Sequence, residues 1–290
     1  MRYKFMRFPG GRMKAVTLSY DDGIRADLKL CDVLKKYGLK CTFNINTSTF
    51  GRTDRPDKLS PAEIKEHILD AGHEVAVHGE QHIAPGIAEP VRAITDVLNC
   101  RLTLEKEFGM IIRGMAYPDS GISRIHANNN CENIFSYLKN LGIVYSRTLS
   151  GDNNTFMMPN NFYAWMPTAH HKNPKLMEWA REFVELEPHK IITRRYPRLF
   201  YLWGHSYEFD QNLPDNNWGI IEEFAEFMGN REDIWYATNI EIYDYIQAYN
   251  QLIFSMDYTK VYNPTCTTLY FKTAKGEYQV KPGETVSYEF

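Results

Sequence analysis

Two adjacent carboxylates stand at the end of the first strand-like segment of the sequence. Asp21 and Asp22 follow the apolar run 14–20, and Gly23 comes directly after them. Because adjacent residues at a strand end point in different directions, one aspartate can bind a metal while the other faces a water molecule beside it. Gly23 permits the sharp turn that this arrangement needs. A turn that simply ends a strand is the alternative interpretation of this Asp-Asp-Gly segment.

Two histidines follow a second strand-like run. His78 and His82 lie four residues apart, directly after the apolar residues 75–77. If the loop between them makes a single helical turn, both imidazoles can bind one metal ion. Two imidazoles and one carboxylate suit zinc and leave coordination positions open for water and substrate. The pair could otherwise be ordinary surface or core histidines, but a strand end equivalent to that of Asp21 and Asp22 favours a metal site.

Two further strand ends carry residues that could take part in catalysis. His205 closes the run 199–203, where an imidazole can act as a general acid at neutral pH. The alternative is a core or interface histidine packed beside Trp203. Pro118 lies in the turn after another strand-like run and can fix the backbone there. The next N–H, that of Asp119, would then point into the site as an oxyanion donor.

The elements that must position these residues alternate along the chain. Strands are predicted at 14–20, 41–46, 73–78, 110–117, 143–149, 162–168, 199–205 and 234–237. Helices are predicted at 26–37, 60–71, 89–108, 123–141, 174–187, 218–228 and 241–251. This α/β alternation implies parallel pairing through βαβ units and fits a distorted (β/α) barrel of seven or eight strands. A doubly wound sheet is the structural alternative.

The pattern changes after about residue 252. Short β-type runs separated by turn residues follow, at 267–271, 277–280 and 285–290. We therefore predict a barrel domain over residues 1–252 and a small β-rich C-terminal extension over residues 253–290.

Composition limits the classes of partner. The net charge of −3 and the absence of a basic block argue against nucleic acid or an anionic membrane as the main partner. The five cysteines are far apart and form no CxxC pair, which argues against a disulfide framework or a cysteine-based zinc site. No apolar run reaches about 18 residues and no signal-peptide pattern opens the chain, so a cytoplasmic location is predicted.

The order of these motifs resembles that of the NodB-homology polysaccharide deacetylase family, over about residues 13–250. Residues Ser19–Gly23 match its (T/S)(F/Y)DDG motif, and His78–His82 match its H(S/T)xxH motif. Arg113–Gly121 approximate its Arg-x-Pro turn, and Leu202–His205 approximate its LxH motif with one extra residue. The resemblance implies the barrel fold that the alternation of elements also predicts.

The resemblance also implies a role for each matched residue. The metal ligands would be Asp22, His78 and His82, with zinc as the expected ion. Asp21 would be the general base and His205 the general acid. The N–H of Asp119 would share the developing oxyanion with the metal.

The sequence departs from the family pattern at several positions. Gly79 stands where the family has a hydroxyl residue, and the aspartate that orients the acid histidine has no clean match. Asp152 is the candidate for that orienting residue, with Glu208 as the substitute. Further predicted substrate-binding residues are Tyr117, Pro118 and Trp203. His170 and His171 are expected to be exposed to solvent, and the alternative is that they approach the site from a loop.

These features predict a metal-dependent hydrolase that removes the N-acetyl group of an N-acetylated sugar or oligosaccharide. A full set of acid, base and metal ligands is seldom kept by chance. A hydrolase of another non-peptide C–N bond, such as a cyclic amide, is the second hypothesis. A degenerate barrel that binds metal or carbohydrate without turnover is the third. The predicted partner is therefore a carbohydrate or a small acylated amine.

Overall fold

A parallel sheet forms the centre of the computed structural model, which describes residues 3–126, 129–149, 152–186, 196–214 and 216–290. In chain order the strands are β1 (Phe5–Arg7), β2 (Lys14–Asp21), β3 (Cys41–Ile45), β4 (Glu74–Val77), β5 (Gly114–Ala116), β6 (Tyr145–Arg147), β7 (Ala169–His170), β8 (Arg198–Gly204), β9 (Ile234–Tyr236), β10 (Ile253–Phe254), β11 (Lys260–Tyr262), β12 (Leu269–Lys272), β13 (Glu277–Val280) and β14 (Thr285–Ser287). The helices are α1 (Ala26–Lys36), α2 (Pro61–Ile64), α3 (Pro90–Phe108), α4 (Cys131–Asn140), α5 (Leu176–Glu185), α6 (Trp218–Met228) and α7 (Asn239–Asn250). None of the helices in these ranges is long and apolar enough to span a membrane.

The strand order is that of a barrel opened at one seam. The order across the sheet is β6-β5-β4-β3-β2-β8-β7, and β9 pairs with the first half of β2. Every pairing within it is parallel. The chain therefore runs around the sheet in one direction, and β6 and β7 flank the seam, which the bridge between Arg147 and Trp165 spans. The predicted distorted (β/α) barrel is confirmed.

Strand β2 carries the site from the centre of this sheet. All eight of its residues are buried, as expected for a parallel strand covered on both faces. Its C-terminal end brings Asp21 beside Asn44 of β3 and Tyr20 beside Gly204 of β8. The predicted catalytic segments at these strand ends consequently share one edge of the barrel.

Two predicted elements differ most from the structure, and the helix predicted at 60–71 is α2 followed by a π-helix at Lys65–Leu69. The expected strand at 162–168 is instead a 3-10 turn, Phe162–Ala164, and only β7 follows as a two-residue strand. The expected helix at 123–141 is confined to α4, because the Asn130 side chain accepts the N–H of Asn133 and caps the helix there. Residues 127 and 128 of that prediction lie outside the described residues.

The C-terminal strands form two small antiparallel sheets. One has the order β10-β11-β14, and the other has the order β1-β12-β13 and so includes the N-terminal strand. Phe8 and Phe271 are fully buried in the apolar cluster beneath these sheets. Strand β1 precedes Lys14, the first residue of β2, so this cluster lies at the end of the barrel opposite Asp21.

One buried carboxylate far from the catalytic edge is expected to make stability depend on pH. Glu74 accepts hydrogen bonds from Thr42 at 2.7 Å, Tyr145 at 2.6 Å and the N–H of Ile240 at 2.9 Å. Burial raises its pKa to about 7 although these bonds oppose the shift. Between pH 4.5 and 7 the unfolded chain loses this proton while the folded protein keeps it, so stability falls as pH rises.

The variant Glu74→Gln should weaken this dependence, because a glutamine carries no proton to lose. Relative to the wild type, its free energy of unfolding should rise between pH 4.5 and 7, by about 3 kcal/mol at most. Urea unfolding at several pH values measures the difference. Glu107→Gln, at an exposed position of α3, should leave the wild-type dependence unchanged. Identical pH slopes for Glu74→Gln and the wild type would contradict the prediction.

Candidate metal and catalytic site

The three predicted metal ligands converge at the C-terminal edge of the sheet. The Oδ1 atom of Asp22 lies 3.9 Å from Nε2 of His78 and 3.8 Å from Nε2 of His82. One ligand atom from each residue lies within 4.8 Å of the other two. Ligand atoms about 2 Å from a shared zinc ion stand at comparable separations. The geometry therefore fits one divalent cation.

The chemistry of His78 supports the same assignment. Its Nδ1 lies 3.0 Å from the carbonyl oxygen of Ala116 and must donate a proton to it, which leaves the lone pair on Nε2. This buried Nε2 has no hydrogen-bond partner among the described residues. Burial lowers the pKa of His78 well below its ordinary value, so the imidazole is neutral at pH 7. A neutral imidazole with its other nitrogen fixed by a carbonyl is the usual state of a metal ligand.

The Asp22 side chain is held in place by its neighbours. Its backbone has a positive φ of 85°, which turns the carboxylate away from the path of β2. Asn46 donates a hydrogen bond to Oδ1 at 2.9 Å, and Lys58 donates to the Asp22 carbonyl oxygen at 2.8 Å. The carboxylate is thereby oriented by its protein neighbours.

Asp21 lies in the barrel and pairs with an arginine that the sequence motifs did not identify. Arg147, from the end of β6, contacts its Oδ2 at 2.5 Å, and Asn44 donates to its Oδ1 at 2.8 Å. Burial alone would raise the pKa of Asp21, but Arg147, together with His78, His205 and Asn44, brings it below its ordinary value. Asp21 is therefore ionised at neutral pH and can accept a proton.

Arg147 is fully buried and also lies over the ring of Trp203, with its guanidinium carbon 4.3 Å from the ring centroid. Arg113, the arginine of the motif that approximates the family's Arg-x-Pro turn, instead pairs with Asp244 on the outside of the barrel. The one signal for Arg147 in the sequence is a charged residue inside the apolar run 143–149.

His205 lies between two carboxylates. Its Nε2 is 3.8 Å from Oδ2 of Asp21, and its Nδ1 is 3.9 Å from Oε1 of Glu208. Asp152 is exposed and accepts a hydrogen bond from Asn173, so its predicted position beside His205 is wrong. Glu208, the substitute named from the sequence, is the carboxylate that lies beside Nδ1. It follows His205 by three residues, within the 3-10 helix Ser206–Gln211.

Glu208 is surrounded by donors from the segment that follows β7. Lys172 donates to its Oε1 at 2.8 Å, while Nε2 of His170 and Nε2 of His171 lie 3.2 and 3.0 Å from its Oε2. Burial alone would raise the pKa of Glu208, but these three contacts bring it far below its ordinary value. His171 is 1% exposed, so its expected solvent exposure is wrong, whereas the side chain of His170 is 23% exposed.

The cluster of His170, His205 and Glu208 also has the spacing of a metal site, but a lysine ammonium already binds the Glu208 carboxylate. The N–H of Lys172 donates to Nδ1 of His170 at 3.1 Å, so the ring proton is on Nε2, the nitrogen that faces Glu208. The Lys172 ammonium occupies the other carboxylate oxygen. This cluster therefore fits a carboxylate held by its own donors, and not a second cation.

Gly204 is required by this packing. A Cβ atom at Gly204 would lie 1.9 Å from Nδ1 of His171, so the imidazole occupies the space that any side chain would need. His171 also stacks on Tyr20 of β2, with ring centroids 5.8 Å apart. The glycine before His205 therefore lets the segment after β7 pack directly behind the site.

A cavity of about 370 Å³ opens beside these residues. Its lining comprises Asp21, His78, His82, Tyr117, Asp119, Ser120, Ser123, Arg124, Leu149, Trp203 and His205. Asp119 has a positive φ of 46°, and within the described part of the chain its N–H donates no hydrogen bond. Pro118, which precedes it, is buried. The predicted oxyanion donor thus stands at the cavity wall with its N–H available.

The sequence profile of the polysaccharide deacetylase family matches residues 8–143. This segment belongs to the polysaccharide deacetylase family. The match includes the segments that carry Asp22, His78 and Asp119 and ends before β6, β7 and β8. No curated protein sequence matches the chain.

Several solved structures are similar to this chain at low sequence identity. A protein described as a polysaccharide deacetylase from Mycobacterium smegmatis is 16% identical, with a TM-score of 0.55 over 86% of this chain and 96% of that one. The catalytic domain of peptidoglycan N-acetylglucosamine deacetylase from Eubacterium rectale is 19% identical, with a TM-score of 0.46 over 81% and 92%. The deacetylase PplD of Streptococcus pyogenes, solved with acetate, is 20% identical, with a TM-score of 0.40. The match covers 46% of this chain and 55% of the length of PplD.

Proposed function

We propose that this chain is a metal-dependent hydrolase that removes the acetyl group from the amide nitrogen of an N-acetylated sugar or oligosaccharide. The observation that carries the proposal is the convergence of Asp22, His78 and His82, with Nε2 of the buried His78 imidazole 3.9 Å from Oδ1 of Asp22. Membership of residues 8–143 in the polysaccharide deacetylase family supports the acetylated saccharide as substrate.

Asp22, His78 and His82 would hold the metal, and two imidazoles with one carboxylate favour zinc. A divalent cation at this position polarises an acyl carbonyl and lowers the pKa of water. The side chains around it supply the proton transfers and the remaining polar contacts to the substrate.

Asp21 takes a proton from the water molecule as the water oxygen attacks the acyl carbon. Its ionised state at neutral pH, which Arg147 maintains, supports this role. The N–H of Asp119 stabilises the oxyanion that develops on the acyl oxygen. His205 then donates a proton to the nitrogen as the C–N bond breaks, so that an amine and acetate leave.

Glu208 orients His205 for this transfer. A carboxylate beside Nδ1 fixes the ring so that Nε2 faces the reacting atoms. His170, His171 and Lys172 hold Glu208 in turn and keep it ionised. Tyr117 and Trp203 line the cavity, where they contact the acetyl group and the sugar ring.

The proposal is tested by comparing acetate release from an N-acetylated chito-oligosaccharide with hydrolysis of a small cyclic amide. We expect acetate release from the saccharide, its loss after treatment with a chelator, and its recovery when zinc or cobalt is added. Asp22→Asn should give no acetate under any of these conditions. Turnover of the cyclic amide alone, or saccharide turnover that survives complete removal of metal, would contradict the proposal.

A further inference from the structure

Asp96, in the second turn of α3, holds the loop that joins the two histidines. Its Oδ1 accepts the N–H of Gln81 at 2.5 Å, and its Oδ2 accepts the N–H of Ile83 at 3.2 Å. Its own carbonyl oxygen accepts the N–H of Glu80 at 3.1 Å. Asp96 is 3% exposed, so water does not compete for these bonds. Asp96 thus accepts three backbone N–H groups from residues 80–83, the segment around His82.

The carboxylate of Asp96 fills the space beside Gly79. A Cβ atom built at Gly79 would lie 2.1 Å from Oδ2 of Asp96, and Gly79 itself has a φ of +74°. No side chain at residue 79 can coexist with the carboxylate in this position. Gly79 and Asp96 are therefore complementary, and the carboxylate reaches the loop from α3 through the gap that glycine leaves.

His82 needs such support because of its backbone conformation. Its φ is +59°, in the left-handed region that costs a residue with a side chain about 1–2 kcal/mol. The two N–H groups that the Asp96 carboxylate accepts belong to Gln81 and Ile83, the residues immediately before and after His82. Without them, the loop would relax toward ordinary backbone angles and carry the His82 imidazole away from Asp22.

We propose that Asp96 is a positioning residue for the metal site, which fixes the His82 imidazole opposite Asp22 and His78 before a cation binds. The inference rests on the proposed function for the identity of the bound species. It adds a residue outside the matched motifs, on a helix that contributes no ligand. Residues that orient metal ligands in this way typically contribute about 10- to 100-fold to metal affinity.

Asp96→Ala and Asp96→Asn test this role. Alanine removes both acceptors, whereas asparagine keeps one carbonyl oxygen and points an NH2 group at the other donor. We expect the zinc dissociation constant, measured by competition with a chelating dye, to rise about 10- to 100-fold for alanine, and less for asparagine. Saturating zinc should restore most of kcat, because the catalytic groups Asp21 and His205 are untouched. Amide hydrogen exchange of Gln81 and Ile83 in the metal-free protein should accelerate.

Glu105→Ala is the matched control. Glu105 also lies on α3 and accepts a loop N–H, that of Ile112 at 3.0 Å, but at the other end of the helix. Its removal should lower the melting temperature without changing zinc affinity or the exchange of Gln81. Unchanged zinc affinity and exchange in Asp96→Ala would overturn the inference, as would equal losses of zinc affinity in both variants.

The two proposals fail in distinguishable ways. If the wild-type protein bound no metal, the proposed function would be lost, but the faster exchange of Gln81 and Ile83 in metal-free Asp96→Ala would still show that Asp96 holds the loop. If zinc bound the wild type and Asp96→Ala equally well, the metal site would stand and the role of Asp96 would be wrong.

Discussion

Replacing Asp21 by asparagine is expected to lower kcat by about 10²- to 10⁴-fold while the protein still binds its metal ion. Asparagine cannot accept the proton of the attacking water, but the three ligand residues are unchanged. The adjacent change, Asp22→Asn, is expected to abolish zinc binding and turnover together, because it removes the one carboxylate of the ligand set. Zinc content by metal analysis and acetate release with the saccharide measure the two effects.

This pair of variants distinguishes the roles of two carboxylates that are adjacent in the sequence. Both variants must be checked for folding by circular dichroism, since Asp21→Asn leaves the buried Arg147 without its charge partner. If Asp21→Asn lost the metal and Asp22→Asn kept it, the two assignments would have to be exchanged. Retention of wild-type turnover by Asp21→Asn would eliminate Asp21 as the base.

Arg147→Met is expected to destabilise the protein by about 3–5 kcal/mol, because it leaves the carboxylate of Asp21 buried and uncompensated. Asp21 and Arg147 are 1% and 0% exposed at their side chains, so solvent cannot replace the lost partner. The pKa of Asp21 should rise as well, since Arg147 is the largest of the groups that lower it. The acid limb of the pH–rate profile should therefore move to higher pH.

The direction of the pH effect on stability follows from the same pair. In the wild type, the lowered pKa of Asp21 contributes stability above the carboxyl's ordinary pKa, and this contribution is lost as pH falls through the lowered value. Arg147→Met should lack this pH-dependent contribution to stability. Arg113→Met is the control, because Arg113 pairs with Asp244 at the surface, where both side chains are at least one-third exposed. Arg113→Met should lower the free energy of unfolding by less than about 1 kcal/mol. Equal losses in urea unfolding would contradict the prediction.

The sequence predicted that the three candidate metal ligands would lie together, because each of them is encoded locally. Asp22, His78 and His82 each follow an apolar run, and parallel strands bring the ends of such runs to one edge of a sheet. The alternation of runs and helices was regular enough to predict that sheet. Arg147 could not be predicted in the same way, since its partner Asp21 lies 126 residues away and a charged residue inside an apolar run does not identify that partner.

The segment from β6 to β8 was the least predictable part of the barrel. At residues 162–168, aromatic side chains that are typical of a strand instead pack in a turn, where Phe162 and Trp165 contact each other edge to face. His171 looked like a surface residue, and its burial depends on Gly204, which lies 33 residues later. Such dependence of one position on a distant glycine appears only when both are seen in space.

The pairing of β1 with β12 joins residues 5–7 to residues 270–272. This pairing closes a loop of more than 250 residues. Such long-range contacts form late in folding, because the entropy of loop closure must be lost before the contacts stabilise the chain. During synthesis, Phe5 and Phe8 leave the ribosome long before β12, the strand that pairs with β1. A nascent chain therefore exposes this aromatic segment until β12 has been made, and a proteolytic cut near residue 252 would uncover the segment again without touching the catalytic edge.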